Sequence, residues 1–347
     1  MRNRSVQKIE QVFHKTTRSS QIHEAVILVE NTEGTFSYSN GYGGKDIDSP
    51  LLMASITKLF TTTCILALEE RGKLSLDDKV TKYFDHAVLS GLHVYGGKEY
   101  SFDLTLSDLL FQISGLPDVF EEGKNSAKRR AITEDFDITF DDMIGSVKKL
   151  KPHFIPRTKR KAYYADVNFD LLGEIIEKVL QLSLSEAYTQ FIFEPLSLER
   201  TYLPITDEHF VPNIYYKNTL IHRPQIIRSS RASGGCITTA REMMIFIKAF
   251  FAGKLFNKEW FAKLPASNKL QVTMGPIYYG SGYMRIPLDG IVTLFMGKGE
   301  LLGHTGTTGS FAFYYPEKDL FMVGDLNQMG NPALPIRLTM KLAMVIK

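Results

Sequence analysis

A serine and a lysine three residues apart share one face of a helix, where the amine can reach the hydroxyl and take its proton. The 347-residue sequence contains this S-x-x-K spacing three times, at Ser5–Lys8, Ser55–Lys58 and Ser146–Lys149. The first lies in a polar N-terminal stretch and the third borders a basic run. Ser55–Lys58, written S-I-T-K, follows the apolar Leu51-Leu52-Met53-Ala54 and opens a long apolar segment. A helix N-terminus at this point would leave the Ser55 N–H free to face an oxyanion. It would also set Lys58 in the first turn, where the helix dipole disfavours a cation and helps a neutral base. A serine that only caps a helix fits the same spacing.

A serine–lysine pair also needs a proton shuttle and donors for the oxyanion. The segment K-A-Y-Y-A-D-V-N offers Tyr163 and Tyr164 just ahead of a helical pattern, then Asp166 and Asn168. A lysine beside the phenol would lower its pKa from about 10 towards a useful range. Two core tyrosines at a helix start are the plainer reading. Near the C-terminus, G-H-T-G-T-T-G-S brings His304 and Thr305 as side-chain donors and Gly303, Gly306 and Gly309 as points of close backbone approach. If H-T-G ends an edge strand, an extended substrate could align beside it, with the Thr307 N–H as second oxyanion donor. A glycine-rich turn with a surface histidine is the alternative.

The elements that must position these groups follow from periodicity. Glu24 to Tyr38 reads as two strands around an Asn31–Gly34 turn. Ile56, Leu59, Phe60, Thr63 and Ala67 predict a helix over 55–71 that Gly72 stops, and patterns from there to about 265 are mostly helical. Thr105–Asp108 and Thr239–Glu242 read as capping boxes. From about 277 strands return (I-Y-Y-G-S-G-Y-M-R-I-P-L, I-V-T-L-F-M-G, G-S-F-A-F-Y-Y-P, D-L-F-M-V-G-D-L), with a helix over roughly 333–346. The expected arrangement is an α/β lobe from residues 1–72 and 266–347, a mainly helical lobe from 73–265, and a site in the cleft between them.

Composition sets outer bounds. With 44% hydrophobic and 23% charged residues, whole-chain disorder, collagen and coiled coil are excluded. A net charge of +3, from 41 Lys and Arg against 38 Asp and Glu, implies no polyanionic partner, and no nucleic acid is expected. Seven of the positive charges sit in 148–161 (K-K-L-K-P-H-F-I-P-R-T-K-R-K) with no acid among them. That run reads as a solvated loop, an anion-binding surface, or a rim near Tyr164 that favours acidic substrates. Cys64 and Cys236 read as buried thiols. No metal-ligand spacing, dinucleotide fingerprint, Walker loop or G-x-S-x-G appears, so no metal or other cofactor is expected. The polar N-terminus and the lack of a long apolar run predict a cytoplasmic protein without a membrane span.

Taken in order, S-I-T-K (55–58), L-T-L-S-D-L-L-F-Q-I-S-G-L-P (104–117), Y-Y-A-D-V-N-F-D-L-L-G-E-I-I-E (163–177) and F-E-P-L-S-L-E-R-T-Y-L-P (193–204) form a pattern. S-G-G-C-I-T-T-A-R-E-M (233–243), Y-G-S-G-Y-M (279–284) and G-H-T-G-T-T-G-S-F (303–311) continue it. From about residue 40 to 330 the chain resembles the class C β-lactamase and D-alanyl-D-alanine carboxypeptidase family of penicillin-recognising serine hydrolases, with their related esterases and D-aminopeptidases. The resemblance implies a β-lactamase/transpeptidase-like α/β fold, an antiparallel sheet flanked by helices plus an all-helical lobe. It implies Ser55 as acylated nucleophile, Lys58 as its base and Tyr164 as proton relay. His304 stands where many members have the lysine of K-T-G. The implied function is cofactor-free hydrolysis of small amides or esters, possible substrates being D-amino-acid peptides and β-lactams; an esterase or a catalytically silent scaffold are the alternatives. The departures are Asp166 for the family asparagine, Pro156-Arg157-Thr158 for P-G-T, and Gln112 for a histidine. A carboxylate only accepts hydrogen bonds, so Asp166 would grip a substrate carbonyl less well than an amide, and could instead hold Lys58 or meet a substrate amine.

Overall fold

A computed structural model describes residues 2–264, 267–289 and 297–346. The strand expected over I-V-T-L-F-M-G (291–297) lies, apart from Gly297, outside the described residues.

Helix α1 (Arg2–Thr17) precedes strands β1 (Ala25–Glu30) and β2 (Ser37–Tyr42). The C-terminal part supplies β3 (Asn268–Lys269), β4 (Tyr278–Gly280), β5 (Tyr283–Pro287), β6 (Glu300–Thr305), β7 (Ser310–Tyr315) and β8 (Leu320–Asp325). These form one antiparallel sheet in the order β2-β1-β8-β7-β6-β5-β4-β3, so the first strands pair with the last. Val26 lies opposite Asp325, and Val29 opposite Met322. Every residue of β8 is buried, which requires cover on both faces of the sheet.

Between the sheet's two sequence segments lie α2 (Lys58–Glu70), α3 (Leu106–Leu110), α4 (Asp166–Leu180), α5 (Arg231–Gly234) and α6 (Ala240–Ala252); α7 (Leu334–Val345) closes the chain. Helix α6 packs on β1, β7 and β8, while α7 packs on β6, β7, β8 and α1. The N-terminal helix is less polar in effect than in composition, because Ile9 and Phe13, one turn apart, are fully buried. The middle segment also contains two small hairpins, Val94–Tyr95 with Lys98–Glu99 and Ile214–Tyr216 with Thr219–Ile221.

Helix α2, preceded by one 3-10 turn, is the apolar helix expected after Ser55. All residues from Lys58 to Leu68 are buried. A helix covered all round has no polar face, so its threonines must find partners inside. Thr61 Oγ1 donates to the Ala232 carbonyl (2.8 Å), Thr62 Oγ1 to Gly282 (3.0 Å) and Thr63 Oγ1 to Leu59 (2.8 Å). The first two of these bonds tie α2 to α5 and to the β4–β5 turn. Of the two capping boxes, Thr105–Asp108 is complete. At Thr239 only half is present, because the Glu242 carboxylate accepts from the Glu199 and Arg200 N–H groups and the Thr201 hydroxyl. Cys64 and Cys236 are free and buried, and burial pushes both thiols up.

Candidate functional site

Ser55 sits in a single 3-10 turn, Ala54–Thr57, that runs straight into α2. Its side chain caps neither element. Ala54 adopts φ +46°, a left-handed conformation costing roughly 1–2 kcal/mol for a residue with a Cβ. Several bonds hold this turn in place. The Met53 N–H donates to the Cys236 carbonyl (2.9 Å), and Ser310 Oγ donates to the Met53 carbonyl (2.8 Å). The Cys236 N–H donates to Thr57 Oγ1 (3.1 Å). Gly306 packs directly on the turn: a Cβ there would lie 2.1 Å from Ser310 Oγ and 2.7 Å from the Met53 carbonyl oxygen.

Lys58 is fully buried, and three groups surround its Nζ. It donates to Asp166 Oδ1 (2.6 Å) and to the Ser233 carbonyl (2.6 Å), and lies 3.4 Å from Ser55 Oγ. A carbonyl and an ionised carboxylate only accept, so they fix two of the three N–H directions. The third tetrahedral position of the amine is the one towards Ser55. The rings of Tyr164 and Phe169 lie 5.1 and 5.5 Å from Nζ.

Gln112 places the tyrosine segment from a backbone at φ +58°. Its carbonyl accepts the Tyr163 N–H (2.9 Å), and its Oε1 accepts the Ala165 N–H (3.0 Å) and Asn168 Nδ2 (2.5 Å). Gln271 Oε1 accepts the Tyr164 N–H (3.0 Å). The two tyrosines part company here. Tyr163 stacks on His153 with ring centroids 3.5 Å apart, away from Lys58, whereas Tyr164 shares a cavity with Ser55. The expected lowering of the Tyr164 phenol is not found. Burial, and then the charge of Asp166, hold it well above its usual value, and the nearby Ser55 hydroxyl offsets this only in part. No hydrogen bond of full geometry reaches the buried Tyr164 Oη.

Strand β6 is not an edge strand, since β5 pairs with its residues Glu300 to Gly303. His304 and Thr305 run on past β5, paired to β7 on their other side, so an open edge exists only over these last two residues. The His304 Nδ1 lies 2.8 Å from the Thr305 carbonyl oxygen; since that oxygen only accepts, Nδ1 carries the proton and Nε2 the lone pair. Burial, aided by the charge of Lys58, pushes the imidazole down to about 3, so His304 is uncharged at neutral pH. Thr305 Oγ1 donates to the Ser310 carbonyl (3.1 Å). Among the described residues neither the Ser55 N–H nor the Thr307 N–H has an acceptor.

Two spaces meet at Ser55 and Asp166. One, about 830 Å³ with its open mouth included, runs between Tyr164 and the Thr305–Thr307 backbone and suits a small molecule. The other is a mostly apolar chamber lined by Leu52, Phe120, Ile227 and Met329, with Thr308 at its wall. Sequence reasoning missed Asp118, which lies one residue past the 104–117 stretch and is 3% exposed, and Asp170, one helical turn beyond Asp166. Burial and the charge of Asp166 raise Asp118 well above the carboxylate range and push Asp170 up to about 7. The basic run does not reach this site. None of residues 148–161 lines either space. Arg157 pairs with the buried Asp108 (2.8 Å), His153 with Glu122 (2.9 Å), and Lys148 Nζ donates to the Ala87 carbonyl. The rim that would favour acidic substrates is therefore not formed.

Comparison with known proteins adds to this geometry. The Beta-lactamase family model matches residues 9–343. Protein flp of Staphylococcus aureus (strain MW2) is 29% identical over 208 residues, 57% of this chain but 38% of that protein, so the match spans under half of the relative's length. Among solved structures, a D-stereospecific amidohydrolase from Streptomyces sp. superposes with a TM-score of 0.76 at 22% identity, covering 96% of this chain and 97% of that one. The D-amino acid amidase of Ochrobactrum anthropi SV3 gives 0.76 at 18% identity over 97% and 98%. These structures share the fold. No described helix is long and apolar enough to cross a membrane.

Proposed function

Since the chain belongs to the beta-lactamase family, we propose that it is a serine hydrolase that forms an acyl-enzyme at Ser55 with small amides or esters. The observation that carries this reading is the Lys58 amine, buried, with two N–H directions fixed and the third position facing Ser55 Oγ. The Ser55 oxygen adds to the substrate carbonyl carbon while its proton passes to Nζ. The Ser55 and Thr307 N–H groups receive the oxyanion between them. Collapse breaks the C–N or C–O bond, the leaving group takes the Tyr164 phenolic proton, and Lys58 returns a proton to the phenolate. A phenol held above its usual pKa is protonated at neutral pH and ready for that donation. Water repeats the path: it adds to the acyl carbon, gives its proton to Lys58, and Ser55 leaves reprotonated. The amidases of like fold support an amide substrate.

The expected result is a mass increase on Ser55 when the protein is mixed with a fluorophosphonate or a p-nitrophenyl ester, absent in Ser55→Ala. A second reading, a silent binding protein, is favoured by the carboxylate held against Lys58. The same mass measurement separates the two, because a silent protein forms no adduct.

A further inference from the structure

The two acceptors that hold the Lys58 amine belong to different elements. Asp166 opens α4, and the Ser233 carbonyl belongs to α5. The last carbonyls of a helix have no partner within it, and α2 claims two of them from α5. Thr61 Oγ1 donates to Ala232 (2.8 Å) and Lys58 Nζ to Ser233 (2.6 Å). Where the amine points therefore depends on where α5 stands relative to α4. Two contacts between these helices bear on that. Gly173 of α4 lies so close to α5 that a Cβ on it would be 2.5 Å from the Ala232 Cβ. Arg231 makes the other contact: its Nη1 donates to Glu174 Oε1 (2.6 Å) and its Nη2 to Glu177 Oε1 (2.5 Å), both on α4. The Glu177 oxygen is itself fixed, because it also accepts the Leu184 N–H (2.7 Å). Packing does not do this work on the same side. A third space, about 740 Å³ with its open mouth included, is lined by Asp166, Asp170 and Glu174 of α4 and by Arg231 and Ser233 of α5. The backbone at Arg231 has φ +23°, a conformation that residues with a Cβ rarely adopt and that persists only where the surroundings hold it.

We propose that Arg231 is a positioning residue for the reaction at Ser55: by tying α5 to Glu174 and Glu177 it holds the Ser233 carbonyl against the Lys58 amine, so that the amine's remaining position stays on Ser55 Oγ. The planar guanidinium suits this task, because its fork reaches two carboxylates one helical turn apart at once and an ammonium does not. With both pairs lost, the strained backbone at Arg231 relaxes and α5 rocks on the Gly173–Ala232 contact. The carbonyl that fixes one N–H direction of Lys58 then moves away. A base displaced by ~1 Å slows a reaction by up to about 10²-fold. Arg231, Glu174 and Glu177 line neither the space in front of Ser55 nor the apolar chamber beside it. Substrate binding is therefore untouched, and the loss falls on kcat rather than on KM.

This inference rests on Lys58 acting as the base for Ser55, and its test separates the two. With p-nitrophenyl acetate as the probe, Arg231→Met should lower kcat by about tenfold or more and leave KM within about twofold. Arg231→Lys, which keeps one of the two pairs, should regain about half of that loss on a logarithmic scale. An unchanged kcat in Arg231→Met, a rise in KM that accounts for the whole loss, or an Arg231→Lys no better than Arg231→Met overturns the proposal. If Arg231→Met does not fold, the double variant Glu174→Gln, Glu177→Gln removes both charges at constant shape and should show the same fall in kcat at constant KM; an unchanged kcat overturns it. One readout needs no turnover: acetylation of Lys58 by N-hydroxysuccinimidyl acetate, followed by peptide mass spectrometry with the exposed Lys159 as reference. Lys58 should react at least about fivefold faster in either variant than in the wild type, because a loosened α5 uncovers the amine, and an equal or slower rate overturns the proposal. If the wild type turns over no ester while this labelling accelerates in the variant, acylation at Ser55 fails and the tie through Arg231 stands.

Discussion

The two walls of the cleft are built on different principles. The helical wall presents side chains that carry protons or charge: Lys58, Tyr164, Asp166, and Asp118 behind them. The strand wall presents backbone. Thr305 Oγ1 is bonded to Ser310, His304 is uncharged, and what remains open is the end of β6 with the Thr307 N–H. One wall is suited to moving protons and the other to holding a carbonyl in place. The helical wall should therefore be sensitive to the chemistry of its side chains, and the strand wall to shape.

The largest expected effect lies where the walls meet. Ser55→Ala should lower turnover by about 10⁴-fold or more with little change in Tm, since the side chain makes no capping bond; retained activity would move the nucleophile elsewhere. On the helical wall, Tyr164→Phe should reduce kcat by about 10²–10⁴-fold while Tyr163→Phe changes it by no more than a few fold. Steady-state kinetics of the two variants decide, and equal effects would mean that the wrong phenol has been assigned. On the strand wall, Gly306→Ala should cost about 1–3 kcal/mol of stability and displace the Ser55 turn, because the new methyl meets Ser310 Oγ and the Met53 carbonyl. A denaturant titration and kcat measured together test this; a neutral substitution would show that the walls can separate.

The smallest effect sets the two walls in opposition as pH changes. Asp170, behind the helical wall, has its pKa raised to about 7, so the folded state holds the proton more tightly than the unfolded chain does. Its contribution to stability is full below about 4 and is lost as pH rises through 7. His304, in the strand wall, is pushed down to about 3, so its contribution is full above about 6.5 and is lost as pH falls towards 3. Relative to the wild type, Asp170→Asn should gain Tm as pH rises from 4 to 8, and His304→Gln should gain Tm as pH falls from 7 to 4. Parallel profiles for the two variants would remove the contrast.

How much of this was legible depended on whether a feature is local. The S-I-T-K spacing, the Thr105–Asp108 capping box and the strand patterns at both chain ends are set by nearest neighbours, so they read directly. The apolar helix over 55–71 read directly too, but the partners of its buried threonines did not, because they lie on α5 and in the β4–β5 turn. The half-formed cap at Thr239 was likewise unreadable: the N–H donors that claim Glu242 come from about forty residues away in sequence. The basic run 148–161 read as a block of charge, yet its Arg157 and His153 are committed to Asp108 and Glu122.

By itself the sequence determined which residue types could do chemistry, their order along the chain, and the fold family that such an order implies. Only the tertiary structure decided that Asp166 closes on Lys58, that Tyr164 rather than Tyr163 faces Ser55, and that His304 is neutral. The reason is electrostatic. Charge state and proton affinity depend on burial and on neighbours brought together from distant segments, and spacing along a chain contains neither.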